Sequence, residues 1–375
     1  MDFLYLSEPD MKRAGVENMH GCIDAMQDVF SLMENGDYRM GGSSNNDHGI
    51  MMKYPATTNI ERMPVDGPDR RVVAMPAYLG GNYHMCGIKT YGSDPENHKR
   101  ELPRSILMLI LMDPETGLPL AYMSANALSA MRTGAVPGLG VRWLAPKVVH
   151  TISVIGPGVM GRTTCMSFIA EHPEIETIKI KGRGQNGIDS FIKFGKGKFT
   201  NVKEYVICDS IQEACNDSDI ICAGTTNAKV FEDNPTINGE WIKPGALVIA
   251  LSALIMNDEF LSDTQKCRLV VDNYKMYEGW GKGKEYPTQK NVSTLIGMKF
   301  YDLVISGKIT VDDIDSIGNI INGKTPGRID DSRVTVFAVG GMPTEDIAWG
   351  MKCYENAKRL GIGESLVLWD KPEFL

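Results

Sequence analysis

No stretch of this chain approaches the roughly 18 uninterrupted apolar residues that a membrane helix requires, so a membrane partner is not expected. Its eight cysteines (Cys22, Cys86, Cys165, Cys208, Cys215, Cys222, Cys267, Cys353) form no CxxC pair, and its six histidines show no HExxH spacing. A zinc site or a disulfide frame is therefore not expected, and the thiols read as reduced and mostly buried. Positive charge is also in deficit: 39 Lys and Arg stand against 47 Asp and Glu, a net charge of -8. A nucleic-acid binder neutralises phosphates with clustered cations, so that class is disfavoured. The N-terminal residues Met1 to Asp10 carry no early positive charge. They do not read as a signal peptide, and the default location is cytoplasmic.

What is present is the balance of a globular protein: 43% hydrophobic and 23% charged residues over 375 positions, a length that suits two domains. Ser7-Glu8-Pro9-Asp10 offers a helix N-cap, and Met19 to Met33 has apolar residues near helical spacing. Asn35 to Asp69 reads as loop with short strands. From Arg71 the texture is of hairpins: Val72–Met75, Met85–Lys89 and Ile106–Met112, then a turn at Asp113-Pro114-Glu115-Thr116-Gly117 and a returning strand. Ser124 to Leu144 reads as helix. After Pro146, strands at Thr151–Gly156, Thr177–Lys181, Glu204–Cys208, Ile220–Ala223, Leu247–Leu251 and Leu269–Val271 mostly alternate with helices. That succession predicts a parallel sheet covered on both faces. A last strand, Arg333 to Val339, precedes a helix from about Pro343 to Leu360. Gly279 to Lys284 is glycine-rich and basic but lacks a strand–helix frame, and reads as a surface loop.

One motif carries chemistry on its own. The branched strand Thr151-Ile152-Ser153-Val154-Ile155 runs into Gly156-Pro157-Gly158-Val159-Met160-Gly161, and a helix follows from Arg162. The first glycine makes a tight turn, the second admits a pyrophosphate to the backbone, and the third lets helix and strand pack closely. With the strand before it and the helix after it, this GxGxxG predicts a dinucleotide site of Rossmann type. The next strand ends in Lys181-Gly182-Arg183-Gly184, without the acidic residue that bonds the ribose 2′-hydroxyl of NAD. Arg183, with Lys181, is suited to pair with a 2′-phosphate instead, so NADP(H) is preferred and NAD(H) stays open; solvated loop charges are the alternative. Thr225 and Thr226 end a strand in small residues and either line the ribose–nicotinamide half or cap a helix.

The sequence resembles the ornithine cyclodeaminase/mu-crystallin family over nearly its whole length. The resemblance is carried by Met75-Pro76-Ala77-Tyr78, Gly87-Ile88-Lys89, Asp113 through Leu120, Ala130-Met131-Arg132-Thr133-Gly134-Ala135, the glycine loop, Thr225-Thr226, and Val336-Phe337 through Gly341 to Glu345-Asp346. It implies an α/β protein: a doubly wound Rossmann domain over residues 131–344, and an α+β substrate-binding and dimerisation domain over 1–130, completed by 345–375. It implies a homodimer acting on a small amino or imino acid. Lys89 matches a lysine that contacts substrate beside the nicotinamide, and Arg132 matches an arginine that holds the substrate carboxylate; both are the expected catalytic residues. Met75 and Arg39 are further expected substrate contacts. Thr133, Gly156, Pro157, Gly158, Val159, Met160, Gly161, Arg183, Thr225, Thr226 and Gly341 are the expected cofactor contacts.

Departures from the cyclodeaminase pattern redirect the chemistry. Where those enzymes carry an acid shortly before the Met-Pro pair, this chain has Val73; where they carry an aspartate after the strand ending near Leu251, it has Leu254. Asp258 is nearby but out of register. Arg104 replaces a common threonine, and either reads a second anionic group or faces solvent. A pocket without both acids suits a substrate lacking a cationic tail. The expected function is therefore an NADP(H)-dependent ketimine or imine reductase or amino-acid dehydrogenase. Ornithine cyclodeaminase, forming proline and ammonia with bound NAD, is the alternative, and a nicotinamide-binding crystallin without turnover is an alternative of another class.

Overall fold

Period-two alternation between Arg71 and Leu79 buries Val73, Met75, Ala77 and Leu79 on one side of a strand, leaving their neighbours partly exposed. In the computed structural model, which describes residues 1–42, 44–67 and 70–374, that strand belongs to the first of two compact units. This unit comprises Met1–Asn18, Asn35–Arg132 and Met342–Leu375. Its sheet runs in the order Glu364–Val367, Asp2–Leu6, Pro119–Ser124, Ser105–Met112, Met85–Ser93, Arg71–Leu79 and Tyr38–Met40, with Ile50–Lys53 also paired to Arg71–Leu79. Neighbours are antiparallel except Asp2–Leu6 against Pro119–Ser124. The helix Pro343–Leu360 lies against the strands Arg71–Leu79, Met85–Ser93 and Ser105–Met112 and buries Ile347, Ala348 and Trp349. Trp349 Nε1 donates to the Val16 carbonyl at 3.1 Å, which ties the C-terminal helix to the N-terminal segment. Ser7 caps the short helix Glu8–Arg13 in a reciprocal capping box with Asp10.

The second unit comprises Met19–Glu34 and Thr133–Gly341. Its eight strands are all parallel, in the order Glu204–Ile207, Thr177–Lys181, Thr151–Ile155, Ile220–Ala223, Leu247–Ala250, Val334–Ala338, Cys267–Val271 and Ile314–Ser316. Ile220–Ala223, Leu247–Ala250 and Val334–Ala338 are buried at every residue, as strands covered on both faces must be. The chain order reverses between Thr151–Ile155 and Ile220–Ala223, which makes their carboxyl ends the switch point where doubly wound sheets bind ligands.

Several elements differ from expectation. Met19–Glu34 is helical as its period predicts, but it belongs with the second unit, where Ser31 Oγ donates to Asn322 Oδ1 at 2.6 Å and Ser316 Oγ to Glu34 Oε2 at 2.7 Å. The helix Asn126–Leu144 contributes its residues through Arg132 to the first unit and those from Thr133 to the second. Gly279–Gly281, expected as loop, ends a helix that starts at Tyr274, because Met276 and Tyr277 bury one face of it. The cysteines are free; Cys86 alone is only half-buried, and burial raises the pKa of Cys215, Cys222 and Cys353 to about 12.

Candidate active site

At the switch point of the second unit the three glycines of the loop each have a separate reason to lack a side chain. Gly156 has φ +99°, and a Cβ there would meet the Gly224 carbonyl oxygen at 2.7 Å. A Cβ on Gly161 would lie 2.6 Å from the Gly156 carbonyl oxygen, so the helix Val159–Glu171 and the strand end pack too closely for one. Around Gly158 nothing stands within 4 Å: the space is open. Gly158 is also the N-cap of that helix and supplies no side-chain cap. The first amides of the helix are thus left for an anion approaching over Gly158, with Val159 exposed and Met160 half-exposed beside them. This cradle fits a dinucleotide pyrophosphate. Pro157 touches the next strand end: a Cβ on Gly182 would stand 3.1 Å from its ring.

Beyond Gly182, Arg183 is exposed, and among the described residues its guanidinium has no hydrogen-bond partner. Lys181 is committed elsewhere, donating to the Asp209 carbonyl at 2.6 Å. The helix Gln185–Lys198 that follows starts at Gly184, again without a side-chain cap. Across the switch point, Thr225 N–H donates to Ser252 Oγ at 2.9 Å, and its own buried hydroxyl has no partner among the described residues. A Cβ on Gly156 would meet the Thr225 methyl at 3.0 Å, so this orphaned hydroxyl sits next to the loop; Thr226 is exposed. Gly341 has φ +71° and is held by an acid that sequence reasoning missed. Asp272 is buried and accepts from Gly340 N–H at 2.5 Å and from Asn273 N–H at 2.7 Å, and burial raises its pKa despite these bonds. Thr133 is half-buried in the helix directly after Arg132.

The first unit holds a buried cluster of four charges. Lys89 Nζ donates to Asp346 Oδ2 at 2.7 Å and reaches Ser129 Oγ at 3.5 Å. Arg132 Nε donates to Asp346 Oδ1 at 3.1 Å and Nη1 to Glu345 Oε2 at 2.6 Å. Exposure is 3% for Lys89, 6% for Arg132 and 0% for both acids, so neither cation would persist without them. The carboxylates stand in the first turn of the helix Pro343–Leu360, where the helix dipole favours negative charge. Glu345 also accepts from Met342 N–H at 3.0 Å. Burial and the neighbouring Arg132 charge lower Lys89 to about 8, against the raising effect of Asp346. Burial would lower Arg132 as well, but the two carboxylates outweigh it and hold the guanidinium charged. Among the described residues, Arg132 Nη2 has no hydrogen-bond partner. The cluster therefore offers one proton that moves near neutral pH and one guanidinium nitrogen for an anion.

Not every expected substrate residue reaches this cluster. Met75 does: it is fully buried and directly opposite Lys89 in the strand register. Arg39 does not. It pairs with Tyr78 while its neighbour Met40 pairs with Ala77, so alternation turns Arg39 to the sheet face opposite Lys89. Its Nη1 donates to the Gly36 and Tyr38 carbonyls at 3.0 and 2.5 Å. Arg104 is exposed, beside the hairpin end where Ser93 pairs with Ser105, about 17 Å along the strand from the Leu109 position that opposes Lys89. Asp258 is bound to Lys299 and, at 2.6 Å, to Lys308.

Comparison with known proteins matches residues 16–360 to the model of the ornithine cyclodeaminase/mu-crystallin family. The chain belongs to that family, and is an enzyme of it. It is 25% identical over 371 residues to N-((2S)-2-amino-2-carboxyethyl)-L-glutamate dehydrogenase of Staphylococcus aureus, covering 98% of this chain and 99% of the relative. Among solved structures, the Δ1-pyrroline-2-carboxylate reductase of Thermococcus litoralis in complex with NADH and L-proline superposes with a TM-score of 0.75 at 24% identity, covering 97% of this chain and all of that one. An archaeal alanine dehydrogenase dimer with bound NAD gives a TM-score of 0.75 at 22% identity, covering 98% and 100%.

As a member of the ornithine cyclodeaminase/mu-crystallin family, the chain shows its departures as packed structure. Val73 is 2% exposed, on the same strand face as Met75, and Leu254 is fully buried in the second unit, its carbonyl accepting from Gln289 Nε2 at 2.8 Å. Glu345 and Asp346 were legible only as part of the family pattern. Their pairing with Lys89 and Arg132 had no sequence signal beyond two acids at a helix start.

Proposed function

We propose that this enzyme is an NADP(H)-preferring oxidoreductase that reduces the C=N bond of an imino acid, or oxidises the corresponding amino acid. The observation that carries the reading is the buried Lys89–Asp346–Arg132–Glu345 cluster, in which a lysine with a pKa near 8 stands beside an arginine with one uncommitted nitrogen. Arg132 Nη2 grips the substrate carboxylate with a charge-assisted hydrogen bond. Lys89 Nζ gives its proton to the imine nitrogen in reduction and takes one from the amine in oxidation. Asp346 binds both cations and holds their tips in place. Gly156, Pro157, Gly158, Val159, Met160 and Gly161 hold the dinucleotide pyrophosphate, and Thr133, Thr225, Thr226 and Gly341 contact its nicotinamide half. The bound nicotinamide supplies or accepts the hydride. With Val73 and Leu254 in place of acids, nothing at those positions holds a distal amine, which disfavours ornithine cyclisation. The dimeric archaeal alanine dehydrogenase supports a homodimer.

The reading is tested by following NADPH consumption with Δ1-pyrroline-2-carboxylate and with pyruvate plus amines, alongside ornithine with NAD. Steady oxidation of NADPH by the imines is expected. Proline and ammonia from ornithine without net change in the nucleotide would replace it with cyclodeamination, and binding without any turnover would make the chain a nucleotide-binding protein only.

The NADP(H) preference rests on Arg183, with the uncapped helix start at Gly184 beside it. Arg183→Ala is expected to raise the KM for NADPH by about 10- to 100-fold, the worth of a charge-assisted phosphate contact, and to leave that for NADH nearly unchanged. Equal effects on both cofactors would show that Arg183 meets no 2′-phosphate.

A further inference from the structure

A lysine that gives up a proton in every reduction must be reloaded in every turnover, yet Lys89 is almost wholly withdrawn from water. On its rung of the sheet it stands between Met75 and Leu109, both apolar and fully buried. The helix Pro343–Leu360 sets Asp346 against it, with the Glu345 charge beside, and neither acid reaches solvent. The helix Asn126–Leu144 contributes Arg132, which its carboxylates hold charged and which releases no proton. The one remaining polar neighbour among the described residues is Ser129 on that same helix, whose Oγ lies 3.5 Å from Lys89 Nζ. Hydrogen bonds that serve catalysis are often long before substrate arrives and tighten with it.

The Ser129 hydroxyl is set differently from an ordinary helical serine. Such a serine turns back onto a carbonyl of the preceding turn, as Ser167 does onto Thr164 at 2.8 Å. Ser129 makes no such bond: its oxygen faces Lys89, and among the described residues its own hydrogen is donated to no acceptor. Leu128 and Met131 beside it are buried, whereas Asn126, Ser129 and Ala130 form a partly exposed stripe at helical spacing. Ser129 therefore has the buried lysine on one side and solvent within reach on the other.

We propose that Ser129 is the conduit through which Lys89 exchanges its proton with water. This rests on the reading of Lys89 as the proton donor to the imine. In reduction the imine carbon takes hydride from the nicotinamide, and its nitrogen takes a proton from Lys89 Nζ, which is left as a neutral amine. Ser129 Oγ then passes its hydrogen to Nζ and takes another from water at the helix surface. One solvent proton is consumed in each turnover, and both side chains return to their starting state. Oxidation runs the same transfers in reverse. Because Ser129 acts through Lys89, its loss slows the reloading and leaves the hydride step alone.

The test compares the full-length native enzyme with Ser129→Ala and Ser129→Thr, using NADPH and Δ1-pyrroline-2-carboxylate well below pH 8, where Lys89 starts protonated. Alanine is the better helix former, so the fold is kept. Stopped-flow records of Ser129→Ala are expected to show one NADPH per site oxidised at the native rate. A steady rate lower by about 10- to 100-fold should follow, at the lower end of what a proton-transfer group contributes. Ser129→Thr keeps the hydroxyl and is expected to restore the native steady rate. A first turnover slowed as much as the later ones, with a raised KM for the imine, would place Ser129 on the substrate and overturn the conduit. Native steady rates in Ser129→Ala overturn it as well. A second readout needs no turnover: the Lys89 ammonium is followed by NMR in protein isotope-labelled at lysine Nζ, and is identified by its loss in Lys89→Met. Its exchange with water is expected to slow by about 10-fold or more in Ser129→Ala. Slowed exchange in a protein that reduces no imine upholds the conduit and overturns the reaction assigned to it. Unchanged exchange overturns the conduit while the oxidoreductase reading stands.

Discussion

Replacing Lys89 with methionine is expected to lower kcat/KM for imine reduction by about 10²- to 10⁴-fold, the usual worth of a positioned general acid. Methionine has similar length and no proton to give; because it leaves Glu345 and Asp346 against the single charge of Arg132, a denaturant melt of the variant is run beside the rates to separate lost chemistry from lost fold. The native enzyme should reveal the same proton in its pH profile. Burial lowers Lys89 to about 8, so the donor form predominates below that pH and is lost above it. Reduction should therefore weaken as pH rises through about 8, while oxidation, which needs the neutral amine, should strengthen over the same range. Steady-state rates in both directions check this. A Lys89→Met enzyme that keeps the native rate and pH limb would remove Lys89 from the chemistry.

Asp346→Asn should have the largest effect on stability, because it takes the shared carboxylate from two buried cations. Breaking a buried ion pair from one side costs about 3–5 kcal/mol. Part of that cost is relieved because Lys89 can shed its proton. Without Asp346 its pKa falls below 8, further from the ordinary lysine value of 10.5. Folding then releases a proton at pH values where the native protein keeps it, so the added loss of stability is full below the variant's lowered Lys89 pKa, shrinks as pH rises from there toward about 8, and is gone above it. Denaturant melts of both proteins, well below and well above that point, should show a gap that narrows with pH. The alkaline limb of residual reductase activity should move to lower pH. A gap independent of pH, with the limb unmoved, would mean that Asp346 does not govern the Lys89 proton.

The parts legible in the sequence were those whose signal is local. A branched strand, three spaced glycines and a helix start lie within about a dozen consecutive residues, and the glycine loop occupies the turn its spacing predicts. Parallel strands buried on both faces announce themselves as apolar runs. The Lys89 cluster is different in kind. Its partners are separated by 257 and 214 residues, so the pairing is a product of tertiary structure. Arg39 shows the sharper limit, since a strand's facing depends on register and one step reverses it. The terminal strands Asp2–Leu6 and Glu364–Val367 pair with each other across the whole chain and escaped notice for the same reason.

The central claim is that hydride passes between a nicotinamide and the carbon of a carboxylate-bearing imine. It is tested most directly by supplying NADPH deuterated at the transferring position and weighing the amino acid product. One deuterium on the carbon that bore the C=N bond, one for each nucleotide oxidised, is the predicted result. Product formed without label, or with label returned to the nucleotide and no net oxidation, would contradict it.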